Sequence, residues 1–131
     1  MPATNFAVTK MLSRDFISAP SLPTYWHLCL STGSIIENGN GVVEPSGNGY
    51  AHIQIGRGSA IWSKAENSIT SNISTYSFSG ATGDWGIISA VFLTDASNVW
   101  FYQNLYPPVE VKDGTTLTFP VGSIVIKMGE R

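Results

Sequence analysis

Charge is what this sequence has least of. Charged residues fill 12% of its 131 positions, about half of the roughly 25% typical of a soluble protein. The basic ones (Lys10, Arg14, Arg57, Lys64, Lys112, Lys127 and Arg131) are scattered, so no cationic stripe forms, and direct nucleic-acid binding is excluded on that ground. Cysteine occurs once, as Cys29, which leaves no partner for an intrachain disulfide. Between Leu28 and Leu30 it reads as a small core residue. No stretch reaches transmembrane length, so no membrane partner is expected. Met1-Pro2-Ala3-Thr4-Asn5 has neither the basic start nor the apolar core of a secretory signal, and synthesis in a cytoplasm is expected.

The usual chemical constellations are missing too. His27 and His52 both fall in strand patterns, where a lone histidine is more often structural than a ligand. There is no His-x-His, Cys-x-x-Cys or His-Glu-x-x-His, so a metal site with local ligand spacing is not expected. Glu37, Glu44, Asp84 and Asp95 stand apart, unlike the closely spaced acids of a calcium loop. Gly56-Arg57-Gly58 precedes neither Lys-Ser nor Lys-Thr and opens no helix, so it is not a phosphate loop. A glycosidase would need two carboxylates brought together in space, and no such pair is legible. No enzymatic activity and no cofactor are expected.

What is present is apolar and punctuated. Hydrophobic residues make up 43% and aromatic residues 11% of the chain, enough for one core. Phe6, Met11, Leu12 and Phe16 are spaced roughly as a helix would place them, with Thr4 or Asn5 to cap it. Ala19-Pro20-Ser21-Leu22-Pro23 ends that pattern, and the period then falls to two. Strands are read over Tyr25–Ser31, Tyr50–Ile55, Asn67–Phe78 with a break near Thr75, Trp85–Leu93, Val99–Asn104, Val109–Val111, Thr115–Phe119 and Ser123–Met128, and Ala60–Ser63 reads as a short strand or a bulge. Tyr106-Pro107-Pro108 reads as a corner. About eight short strands with turn signals roughly every 8–12 residues predict an all-β fold, a single jelly-roll-like antiparallel β-sandwich. The expected organisation is an N-terminal helix or arm over 1–22 and a sandwich over 23–131.

Trp26 and Trp100 lie in apolar runs and read as packing. Trp62 and Trp85 sit beside Gly and Ser and are candidates for partial exposure at a subunit contact, although Trp85 could equally plug one end of the sandwich. Glu44-Pro45-Ser46-Gly47 reads as a turn whose carboxylate accepts from backbone amides or from Arg57.

Several segments in fixed order carry a resemblance: Leu30-Ser31-Thr32, Gly39-Asn40-Gly41, Glu44-Pro45-Ser46-Gly47, Gly49-Tyr50-Ala51-His52, Phe78 through Gly86 with Ala81-Thr82-Gly83-Asp84-Trp85-Gly86, Asp95-Ala96-Ser97, and Asp113-Gly114-Thr115-Thr116-Leu117-Thr118-Phe119 with Gly122. Across about residues 25–128 the chain resembles a family of small tailed-bacteriophage structural proteins, labelled head-decoration (cement) or tail-fibre-like. His52 stands where that family usually has Arg, which would weaken a charged contact to Glu44. Gly-Thr-Thr stands where it has Gly-Asp-Thr. The resemblance implies a virion protein made in the host cytoplasm. The first expectation is a cement protein binding the major capsid protein and copies of itself, as a dimer or trimer. Phe6, Met11, Leu12 and Phe16 would then grip a neighbour, with Trp62 and Trp85 as further contacts. The alternative is a tail-fibre or baseplate module binding host carbohydrate, with Trp62, Asn67, Asp84 and Trp85 in its groove.

Overall fold

The computed structural model describes residues 1–16, 25–64 and 69–127. One helix, α1 (Asn5–Phe16), precedes eight strands: β1 (Trp26–Ser31), β2 (Ile53–Ile55), β3 (Ile69–Ser71), β4 (Tyr76–Ser77), β5 (Gly86–Thr94), β6 (Val99–Val111), β7 (Thr118–Phe119) and β8 (Val125–Lys127). All pairings are antiparallel. They divide into a four-stranded sheet, β2-β1-β5-β6, and two ribbons, β3-β8 and β4-β7. The fold is all-β with a short N-terminal helix.

The hydrophobic run at Trp85–Leu93 becomes β5, hydrogen-bonded on both sides to β1 and β6. Both of its faces are covered. Ile88, Val91 and Leu93 join the main core, while Ala90 and Phe92 join a second cluster with Cys29 and Ile35. In a regular strand Ile88 and Ala90 would share a face. The β5–β6 register shifts between Ile88 and Ala90, and this bulge turns the following side chains over.

Two kinds of structure cover the sheet. Phe78, Ile124 and Ile126, in or beside the ribbons, pack with Leu28, Leu30 and Val91 in the main core. The loop 33–43 covers the other face through Ile35 and Val42. That loop closes on itself at Gly41, whose φ is +100° and whose place allows no side chain: a Cβ there would lie 2.0 Å from the Ser34 carbonyl oxygen.

The N-terminus is built into the sheet. Ala3 bridges to Phe101, Thr4 N–H donates to Trp100 O (2.8 Å) and Tyr102 N–H to Pro2 O (3.1 Å). Lys127 N–H donates to Met1 O (3.1 Å), so Met1–Thr4 seals part of the β6 edge and ties it to β8. Thr4 then caps α1. Its Oγ1 accepts from Ala7 N–H at 3.2 Å and donates to Val99 O at 2.5 Å, leaving one fewer unpaired amide in the first turn.

β6 refines the sequence reading. The strand runs from Val99 to Val111 and so takes in Val109–Val111, read as a separate strand, but its pairing with β5 passes directly from Asn104 to Val109. The corner read at Tyr106-Pro107-Pro108 is this interruption of the ladder, and prolines are tolerated in a bulge on an edge strand, where no ladder hydrogen bond is asked of them. The break read near Thr75 separates β3 from β4. Ala60–Ser63 contributes only a single bridge, Trp62 to Asn72. Among the described residues no helix is long and apolar enough to cross a membrane.

Candidate functional site

Two of the motifs singled out in the sequence lock together. At Gly47-Asn48-Gly49 all three φ angles are positive, and Tyr50 N–H closes the turn on Gly47 O at 3.0 Å. The Asn48 carbonyl accepts from Thr82 N–H (2.9 Å) and from the Trp85 indole N–H (2.8 Å). Its side-chain amide donates to Asp84 O at 3.0 Å. Gly83 passes so close that a Cβ there would lie 2.6 Å from the Asn48 side chain. The 47–50 turn is thereby held against 81–85.

This turn positions a polar corner over β1. The Tyr50 hydroxyl accepts from Leu30 N–H (2.9 Å) and donates to Glu44 Oε1 (2.7 Å). His52 Nε2 lies 2.6 Å from the same oxygen, and since a carboxylate only accepts, Nε2 carries the proton. The Glu44 contact proposed for Arg or for backbone amides is thus made by Tyr50 and His52. Beneath them lies Cys29, fully buried. One ligand atom each from Cys29, Glu44 and His52 lie within 4.8 Å of one another. The His27 ring stands 5.8 Å from that of His52. Burial, with the charge of Glu44 adding to it, pushes the Cys29 thiol well above its ordinary value. Burial likewise raises Tyr50, and the hydrogen bond to Glu44 acts in the same direction.

Glu44 and His52 also line an open cleft of about 360 Å³. Its other polar lining comes from Asn38 and Asn40 on one side and from Thr94, Ser97 and Asn98 on the other, with Phe6 among the apolar residues. Both walls are fixed by their own hydrogen bonds. Asp95 Oδ1 accepts from Ser97 N–H (2.9 Å) and Asn98 N–H (2.7 Å), and Oδ2 from the Trp100 indole (3.0 Å). Partial burial raises the Asp95 pKa, but these donors outweigh it and hold the carboxyl below its usual range. The opposite wall is anchored by Asn104, whose side chain bonds both Ile35 N–H (2.9 Å) and Ile35 O (3.0 Å).

Of the residues expected to meet partners only Phe6 lines this cleft, and they do not converge on one site. Phe6 packs edge-on against Trp100 at 5.5 Å, with the Lys10 ammonium 5.6 Å from its centroid. Met11 packs on the main core, whereas Leu12 is 53% exposed. The Phe16 side chain and Asn67 fall outside the described residues. Trp62 donates to Gly56 O at 3.0 Å and borders a small apolar groove with Trp26, Leu93 and Phe101. Trp85 is 4% exposed, enclosed by Tyr50 and Phe78; of its two readings the structure holds the plug. Asp84 is exposed and lines a different, shallow pocket. The sequence reading missed Asn38, Asn40 and Asn98. The signal was there in two Asn-bearing turns, but nothing local says that they face each other across the end of a sheet.

A family model described as Podophage GP4 fiber I protein gp80 matches residues 3–127. The match spans nearly the whole chain, and the protein belongs to this family of phage fibre proteins. It is a component of the virion, with a structural part in it. No curated protein matches the chain.

Proposed function

We propose that this member of the podophage fibre family works in the fibre rather than on the head, and that its Asn-lined cleft contacts carbohydrate on the host surface. The observation that carries the reading is the cleft itself. Sugar hydroxyls are bound by fixed groups that donate and accept in one plane, which amides and carboxylates supply. Asn38, Asn40, Asn98 and Glu44 offer such groups on walls already braced by hydrogen bonds. Little ordering entropy then opposes binding. The decoration reading drew on the resemblance, the low charge and the absence of a site, and also on an apolar N-terminal segment able to dock on a neighbour; Met1–Phe6 is engaged with its own domain. Replacing Asn40 and Asn98 together by alanine removes about 1 kcal/mol per hydrogen bond. Binding to a responsive glycan on an array should fall about tenfold or more, with the melting temperature unchanged. A wild-type chain that recognises no glycan, or a double variant that binds as well, would sink the carbohydrate half of the proposal.

The fibre half implies contact between chains. Tyr106, 82% exposed, and Ile87, 54% exposed, lie at the same end of the β5–β6 ribbon. An exposed tyrosine with an apolar neighbour is the kind of group that anchors interfaces. Self-association of the wild-type chain at micromolar concentration, lost in Tyr106→Asp, is the expected sedimentation result. A wild-type monomer at every concentration would count against it.

A further inference from the structure

The polar corner over β1 holds a set of donors of which the carbohydrate reading uses only Glu44. We propose that Cys29, Glu44 and His52 form a binding site for a thiophilic divalent cation, zinc(II) being the ion that suits this set best. The proposal rests on a different observation from the carbohydrate reading, the three-donor cluster, and shares only Glu44 with it.

Three features carry it. The donor set mixes one sulfur, one imidazole and one carboxylate, the types that zinc takes. The three ligand atoms lie within 4.8 Å of one another. Bond lengths of roughly 2.0–2.3 Å to a shared ion require only side-chain adjustment from there. The surroundings also orient the ligands. Tyr50 donates to Glu44 while it accepts from Leu30 N–H, so one first-contact oxygen is held by a residue itself anchored to β1. Outer hydrogen bonds of this kind fix ligand orientation at metal centres. Cys29 sits in a paired strand, facing Phe92 across the β1–β5 ladder, and is a fixed point of the site.

Binding replaces protons, and the charges balance. The ion takes the place of the proton between His52 Nε2 and Glu44 Oε1, and the ring keeps one proton, on Nδ1, so that it binds as a neutral imidazole. The Cys29 thiol releases its own proton to water as the sulfur–metal bond forms. The adjoining cleft, which Glu44 and His52 line, is open to water for a fourth ligand. The site escaped the sequence reading because its ligands come from three segments with no shared spacing.

Cobalt(II) is the probe, titrated into the full chain, since a thiolate–cobalt bond gives a charge-transfer band in the near ultraviolet. The expected result is one cobalt per chain with that band, displaced by zinc. Cys29→Ser should abolish the band. His52→Gln, at an exposed side chain whose loss spares the core, should weaken binding at least tenfold while the far-ultraviolet circular dichroism is unchanged. Tyr50→Phe should keep the band and weaken binding about tenfold, the usual effect of removing an outer hydrogen bond. The proposal is overturned if the wild-type chain takes up no stoichiometric cobalt or zinc. It is equally overturned if cobalt binds without the band, or if Cys29→Ser and His52→Gln bind as the wild type does, because both results mean an adventitious ion only.

Discussion

Trp85→Ala is expected to lower folding stability by about 3–5 kcal/mol, the range for truncating a buried tryptophan, and to drop the melting temperature by roughly 10–25 °C. Two losses combine. The first is volume. The ring is 4% exposed and fits between Tyr50 (5.3 Å between centroids, nearly perpendicular) and Phe78 (6.3 Å), so its removal opens a cavity among aromatics that cannot collapse without moving strands. The second is the indole N–H bond to Asn48 O. That carbonyl keeps a second donor in Thr82 N–H, so it is not orphaned, and the bond itself contributes only about 1 kcal/mol. Packing therefore dominates. Trp85→Phe should accordingly cost much less, about 1–2 kcal/mol, because most of the ring volume survives. Equilibrium unfolding in urea checks both. Near-equal losses for the two variants would show that the hydrogen bond outweighs the packing.

The effect should reach the functional corner. Trp85 holds the 47–50 turn in place, and that turn sets Tyr50 and, through it, Glu44. A destabilised Trp85 variant that still folds at low temperature should therefore lose order first at residues 44–52, visible as faster amide exchange there than in β1 or β5.

How much of this was legible in the chain depends on whether the cause is local. β5 was legible as a central strand because burial on both faces removes the need for polar alternation, and an unbroken apolar run is what remains. The helix start was legible because capping is a matter of a few residues, and Thr4 fills that role. The face switch at Ser89 was not, since a bulge is set by the partner strand and leaves no mark on Ile88-Ser89-Ala90. The interruption at Tyr106-Pro107-Pro108 was legible, because proline cannot donate to a ladder; that the strand resumes pairing at Val109 was not, since it depends on β5. The same division runs through the candidate site. Each member of the Cys29–Glu44–His52 corner had a local reading as core, turn and strand residue; Cys29 is core, while His52 lies just before β2 rather than in it. Their meeting depends on β1 pairing with β2 while the 44–50 segment folds back over both, which no spacing encodes.

Asn72→Asp is expected to be the most damaging conservative change in the chain. Asn72 is 1% exposed and joins segments far apart in sequence. Its amide nitrogen donates to Ser74 O (2.7 Å) and Pro120 O (3.0 Å), and its Oδ1 accepts from Ile124 N–H (2.9 Å). The backbone adds Asn72 N–H to Ile124 O (3.2 Å) and Gly122 N–H to Asn72 O (2.9 Å). Among the described residues no buried side-chain polar atom lacks a partner, and this one residue satisfies three groups at once. Aspartate keeps the shape and the bond from Ile124 but turns a two-proton donor into an acceptor facing two carbonyls. A buried carboxylate among acceptors has its folded-state pKa raised above the unfolded value near 3.9. The sign follows from that: above the raised pKa the folded state must carry the charge, and the variant bears the whole penalty at neutral pH. As pH falls through the raised value the carboxyl takes up a proton, regains one donor, and part of the penalty disappears. Asn72→Ala carries no titrating group, so its cost, about 2–4 kcal/mol from one buried N–H left unpaired and a small cavity, should not vary with pH in this way. The two unfolding curves should therefore converge, or cross, between pH 7 and pH 4, with Asp the less stable at neutral pH. A pH-independent gap between the variants would mean that the 72–74 and 120–124 segments rearrange to solvate the carboxylate, and that Asn72 is not the fixed joint of the β3–β8 ribbon.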